Sequence, residues 1–235
     1  MRKSRYSTGV KMFAVAAGFA AALLLAPPDA KALSFTLDTV LNGTGPTSAS
    51  PWLLATFANN GANTVTLTLT SSLEVASEFI SAVAFNVAPG IVPSSLSIVQ
   101  NPVAAPIPTS ILHTTGNAQN LTGGGSAGFG FDVQIAWGTA GPPSNAARFN
   151  NTDVVSFTLT RTGLTENDFN FTNTGSAAAH LAAHVQGIPV AGGGTISGAI
   201  QDDPPTIVPE PGTWLLMATG LLGLLGYGWR KRLTA

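Results

Sequence analysis

Val65-Thr66-Leu67-Thr68-Leu69-Thr70 alternates apolar and hydroxyl side chains over six residues, and Val155-Ser156-Phe157-Thr158-Leu159-Thr160 repeats the pattern ninety positions later. Successive side chains of a strand point to opposite faces, so Val65, Leu67 and Leu69 share one face while the threonines share the other. A helix would scatter the same residues around its axis. Each segment therefore reads as a half-buried strand, and two such faces have to cover each other, which points to an all-β β-sandwich.

The same reading extends along the chain. Strands are expected at Ser34–Leu41, Trp52–Ala58, Thr64–Thr70, Ile80–Val87, Ser95–Gln100, Gly128–Ala136, Val154–Thr160, His180–Gln186 and Thr195–Ile200. Turns between them come from Asn59-Asn60-Gly61, Pro89-Gly90, Thr122-Gly123-Gly124-Gly125 and Gly192-Gly193-Gly194, because Gly and Asn tolerate positive φ. The glycine run at 123–125 lacks the Lys-Ser/Thr of a phosphate loop. Leu164 to Phe169 reads as one helical turn with Thr165 at its start.

Charge divides the chain into three parts. Of ten basic residues, eight lie at the ends: Arg2, Lys3, Arg5, Lys11 and Lys31 in the first, and Arg230, Lys231 and Arg232 in the last. Residues 33–207 hold only Arg148 and Arg161 against nine carboxylates, a net of -7. A surface of that sign repels phosphate backbones, so nucleic acid is not an expected partner. Cysteine is absent, which excludes disulfides, thiolate metal sites and cysteine nucleophiles.

The N-terminal end has the layout of a signal peptide. Four basic residues are followed by fifteen uncharged ones, Met12 to Ala26, then by Pro27-Pro28-Asp29 and the small-residue pattern Ala30-Lys31-Ala32. Export with cleavage by signal peptidase after Ala32 is the expectation, with Ala30 and Ala32 as the recognised residues and 1–32 as the segment removed. The apolar run is short for a span, which needs about 20 residues.

At the other end, a polar linker at 202–207 leads to Val208-Pro209-Glu210-Pro211-Gly212, then to Thr213–Trp229 without a charge, then to Arg230-Lys231-Arg232. Prolines keep the junction extended. The apolar run reads as a transmembrane helix over 213–229, and the basic cluster as a cytoplasmic stop.

Residues 208–235 resemble the PEP-CTERM sorting signal of Gram-negative bacteria: the motif, the apolar run and the basic end stand in that order at the C-terminus. The resemblance implies recognition by an exosortase, a membrane transpeptidase, with Pro209, Glu210 and Pro211 as recognition residues on the substrate. It also implies an inner-membrane intermediate followed by a cell-surface or extracellular destination, and an association with exopolysaccharide or biofilm. The arrangement of the intervening domain, 33–201, from the Trp52 strand through Phe131-Asp132-Val133 and Val154 to Leu159 to Ala183-His184-Val185-Gln186-Gly187, is similar to uncharacterised ectodomains often joined to such tails, which implies a jelly-roll or immunoglobulin-like sandwich.

Catalytic signatures are weak by comparison. His180 and His184 would share a side on a helix, but on a strand they stand about 13 Å apart, too far for one ion. His113 has no G-x-S-x-G elbow to serve. Glu166 with Asp168, or Asp202 with Asp203, could offer oxygens to calcium, though a helix start and a solvated linker explain them as well. No catalytic residue, cofactor or metal is assigned. The expected protein is a non-enzymatic surface or matrix component whose candidate partners are extracellular polysaccharide or other copies of itself. Two alternatives stand beside it: a carbohydrate-active enzyme using carboxylates such as Asp132 and Asp153, and a glycan-binding module lined by aromatics such as Trp137 and Phe129.

Overall fold

The computed structural model describes residues 31–114, 119–121, 130–140, 146–172 and 178–202. The expected signal-peptide core, Phe129 and the whole C-terminal signal, including the span at 213–229, lie outside them. Among the described residues, no helix is long and apolar enough to cross a membrane.

Twelve strands form among the described residues: β1 (Ala32–Gly43), β2 (Leu53–Asn59), β3 (Thr64–Ser71), β4 (Phe79–Phe85), β5 (Ser97–Gln100), β6 (Ser110–His113), β7 (Gln119–Asn120), β8 (Gly130–Phe131), β9 (Val133–Ala136), β10 (Val154–Thr160), β11 (Leu181–Pro189) and β12 (Thr195–Asp202). Ten of them join in one antiparallel sheet ordered β5-β10-β3-β2-β1-β12-β11-β4-β9-β6, nearly closed on itself, while β7 and β8 pair separately. The all-β class follows the sequence. The expected division into two separately bonded sheets does not: pairing runs unbroken from β5 to β6, so the facing layers come from one sheet bending around its core.

Alternation produces that core. In β3, Val65, Leu67, Leu69 and Ser71 are buried while the threonines between them are half-exposed. β10 lies alongside with Phe157 opposite Leu67 and Leu159 opposite Val65, so the two alternating stretches are direct neighbours with their apolar faces on one side. Phe35, Phe57, Phe85 and Phe169 continue the interior, with Phe57 stacked on Phe169 at 4.3 Å between centroids. Stacked and edge-on rings of this kind add about 0.5–1.5 kcal/mol to the burial of their area.

Because every neighbouring pair is antiparallel, the loops gather at two rims. One rim, where β12 ends, holds the starts of β1, β3, β5, β9 and β11 and the ends of β2, β4, β6 and β10. We call it the tail rim. The far rim carries the β1–β2, β3–β4, β5–β6, β9–β10 and β11–β12 connections.

The strand β6 is not foreseen by the sequence reading. Ser110-Ile111-Leu112-His113 is short, and only its pairing with Val133 to Ala136 makes it a strand. The expected strand at 128–136 divides into β8 and β9 around Asp132.

Gly187 marks an irregularity in β11, where the register with β12 shifts between Val185 and Ile188. Its φ is +76°, and a Cβ there would overlap the Ser77 carbonyl oxygen. We expect Gly187→Ala to destabilise the domain by at least about 1–2 kcal/mol from the backbone conformation alone, with more from the displaced carbonyl. Urea unfolding monitored by Trp fluorescence measures it, and an unchanged midpoint would contradict this placement.

Candidate functional site

The point where the domain hands the chain to its C-terminal tail is held by one carboxylate. Asp202 closes β12 opposite Leu37 of β1 and is only 2% exposed. Its Oδ1 accepts hydrogen bonds from the backbone N–H groups of His180 and Leu181, both at 2.9 Å. Its Oδ2 lies 2.7 Å from Nδ1 of His180. The imidazole in turn stacks on Phe35 at 5.1 Å. A buried carboxylate costs free energy unless its lone pairs are filled, and here three donors from the start of β11 fill them. The residue read as part of a solvated linker is therefore a buried structural residue at the end of β12.

His184 lies within β11 and serves a different contact from His180. Its Nδ1 is 2.8 Å from the Ser81 hydroxyl, and that hydroxyl also donates to the His184 carbonyl at 3.2 Å. With the hydroxyl proton so used, Nδ1 carries the ring proton and Nε2 is left a bare acceptor. Nε2 is buried and without a partner, and burial pushes the imidazole pKa below its ordinary value. The H-x3-H spacing thus brings together no joint site, since the first imidazole engages Asp202 and the second engages Ser81.

A sign follows for pH. A histidine whose folded pKa is depressed contributes stability that is fully present above its unfolded value near 6.5, and that stability is lost as pH falls. Asp153 acts in the opposite sense: burial raises its pKa, partly offset by the backbone N–H of Asn150, so folding gains as acid protonates it. Wild-type stability should fall between about pH 6.5 and 5, and His184→Gln should flatten that slope. Urea midpoints across the window check this; an identical slope in the variant would remove His184 as the cause.

The carboxylates weighed as a hydrolytic pair lie at opposite rims. Asp132 sits just before β9, accepting the Val87 N–H at 3.1 Å, and Asp153 precedes β10, accepting the Asn150 N–H at 2.7 Å. The seven residues of β10 run from one rim to the other, roughly 23 Å, so the two do not share a cleft. Trp137 is a core residue, tilted against Phe149 at 4.9 Å. Asp168 closes a 3-10 turn at Glu166–Phe169 by accepting from the Thr165 N–H at 2.8 Å. No group of three or more His, Asp or Glu among the described residues could hold a metal ion.

Sequence reasoning missed Glu78. It is fully buried at the far rim, with Oε1 accepting from the Thr47 N–H at 2.6 Å and the Thr47 hydroxyl at 2.7 Å, and Oε2 from the Ser48 hydroxyl at 2.7 Å. The available signal was an acid abutting the apolar run Phe79–Phe85, where a solvated residue would not be placed.

Ala32, the expected cleavage residue, is the first residue of β1 and pairs with Ala58. Ala30, Pro209, Glu210, Pro211, Arg230, Lys231 and Arg232 lie outside the described residues. The last six fall within residues 208–232, which match the family model of the PEP-CTERM protein-sorting motif. No curated protein matches the chain, nor does any solved structure.

Proposed function

We propose that the PEP-CTERM motif is the functional site of this chain, and that the β domain is cargo delivered by it. The match at residues 208–232 carries the reading. The motif implies export, sorting at the membrane and processing by an exosortase, with Pro209, Glu210 and Pro211 recognised and Arg230, Lys231 and Arg232 holding the tail on the cytoplasmic side. Signal peptidase opens the route by cutting after Ala32.

At the cell surface or in the surrounding matrix, the domain acts as a non-enzymatic component associated with exopolysaccharide or biofilm. Support comes from its charge and from the separation of its acids. A net of -7 over residues 33–207 disfavours anionic ligands, which leaves neutral polysaccharide or like copies meeting through uncharged surface. One long stretch, residues 79–131, has no Asp, Glu, Lys or Arg at all. The glycosidase alternative needs two carboxyl groups about 5–10 Å apart, and its named pair spans the sheet.

The test compares the full chain with one ending at Ile207, both expressed in a host that carries an exosortase. The shortened chain should be exported and appear in the medium or periplasm without passing through a membrane-bound form. Identical processing and location of the two would overturn the sorting reading. Neutral and acidic polysaccharides applied to the purified exported protein then test the second half.

A further inference from the structure

The two layers of the bent sheet present different outer faces. Outside β4 and β11, Ala82, Ala84 and Ala182 are buried in one cluster with Leu121 and Phe131, so the chain covers that face itself. Outside β1, β2, β3, β10 and β5 the face is open. Alternation turns sixteen side chains outward over residues 32–36, 54–58, 64–70, 97–99 and 154–160, and each is exposed or half-exposed. Eleven are Ser or Thr, five are Ala, Val or Leu, and none is ionisable or aromatic. Strand propensity favours Thr at any single position; what sets this face apart is that its hydroxyls are in register.

Ser34 pairs with Thr56, Thr56 with Thr68 and Thr68 with Ser156, so one row of hydroxyls crosses four strands, about 14 Å at the usual strand spacing. Along β3, Thr64, Thr66, Thr68 and Thr70 repeat every two residues, about 6.8 Å. Within the row the Ser34 and Thr56 hydroxyls are 3.1 Å apart, and those of Thr68 and Ser156 are 3.2 Å apart. Each of these bonds uses one proton and one lone pair, which leaves each pair one O–H proton and three lone pairs for a ligand.

The chemistry of the face selects its occupant. With no cation it offers nothing to an anionic ligand, and with no carboxylate it offers nothing to a cationic one. A second copy of the chain fits poorly, because protein interfaces are held by clustered apolar and aromatic anchors, and here Thr70 stands between Leu54 and Val154 in their row. A neutral sugar chain has the matching groups: hydroxyls that both donate and accept, beside C–H surface that meets the threonine methyls.

We propose that this five-strand face binds a neutral polysaccharide along the row of Ser34, Thr56, Thr68 and Ser156. This rests on reading the domain as a surface component that meets neutral polysaccharide, and gives that reading a site. Each sugar ring gains only weak neutral hydrogen bonds, so affinity accumulates along the polymer and a free monosaccharide binds little.

Native electrophoresis of the purified exported protein, in gels containing hydroxyethylcellulose, dextran or alginate, tests the site. At least one of the two neutral polymers should retard the protein, acidic alginate should not, and free glucose should fail to compete. Thr56→Val with Thr68→Val keeps the β-branched shape and removes two hydroxyls, so it should weaken retardation roughly tenfold, two neutral hydrogen bonds' worth, while the melting temperature stays that of the wild type. Ser34→Ala with Ser156→Ala, made independently, should act in the same direction, and Thr195→Val on β12 should have no effect. Retardation that both paired variants retain in full overturns this face and leaves polysaccharide binding standing. No retardation by either neutral polymer, or equal retardation by alginate, overturns the proposal together with the neutral-polysaccharide reading. Concentration-dependent sedimentation that the paired variants abolish would give the face to a second copy and overturn the proposal as well.

Discussion

Glu78→Ala should lower the stability of the domain by about 3–5 kcal/mol, because it strands three donors at once, the buried Ser48 hydroxyl among them, and leaves a void beneath the loop between β1 and β2. The carboxylate is the knot between that loop and the start of β4: it accepts both the N–H and hydroxyl of Thr47 and the hydroxyl of Ser48. The Ser48 carbonyl in turn accepts the Trp52 indole N–H at 2.8 Å, so the loop loses its support from Glu78 at the same residue that anchors a core tryptophan. For a domain of this size the loss corresponds to a melting temperature roughly 10–15 °C lower. Glu78→Gln is the informative partner. Its amide oxygen can keep both Thr47 bonds and its amide nitrogen can donate to Ser48, so it should cost only about 1 kcal/mol. Thermal melts of the exported protein decide between them; equal, small losses for both would show that the knot carries little energy.

Replacing Pro209, Glu210 and Pro211 together by alanine should block processing while leaving the domain folded. The expected species is a membrane-retained chain that keeps its C-terminal basic residues, because the apolar run and Arg230, Lys231 and Arg232 are untouched and continue to act as span and stop. The effect should be close to complete, since no second Pro-Glu-Pro exists in the chain. Pulse-labelling followed by membrane fractionation reads the result. Normal maturation of the triple variant would show that the prolines serve only as a stiff neck.

The two variants act at different levels, and the sequence was unequally legible at those levels. Sorting information is linear: Pro209 to Pro211, an apolar run and a basic end stand in order within residues 208–232, the stretch that matches the sorting motif, so the order of residues is itself the signal. Much of the β architecture was legible for a related reason. Where one face is buried and the other wet, as in β3 and β10, the period of two is imprinted residue by residue, and the observed bounds at Thr64 and at Val154–Thr160 coincide with the expected ones.

Legibility fails where a residue takes its role from a distant partner. β6 exists because β9 lies beside it. The single nearly closed sheet in place of two depends on β1 pairing with both β2 and β12, which no local pattern encodes. Asp202 looked like linker because it stands beside Asp203 and Pro204, yet its environment is set by His180 and Leu181, more than twenty residues earlier. The H-x3-H spacing misled in the same way, since the two imidazoles turn to partners on different elements, Asp202 on β12 and Ser81 on β4. Paired acids are equally ambiguous in sequence: Asp132 and Asp153 are about twenty residues apart in the chain and a full strand length apart in space.

The central claim is that the C-terminal signal is an address removed on delivery. The intact mass of the mature protein recovered from the cell surface or medium of an exosortase-bearing host tests it most directly, with peptide mapping of both ends. The account predicts a chain that begins at Leu33 and lacks the apolar run from Thr213 onward together with Arg230, Lys231 and Arg232. A mature protein that still carries those basic residues would contradict it, and would make the C-terminal segment a permanent anchor.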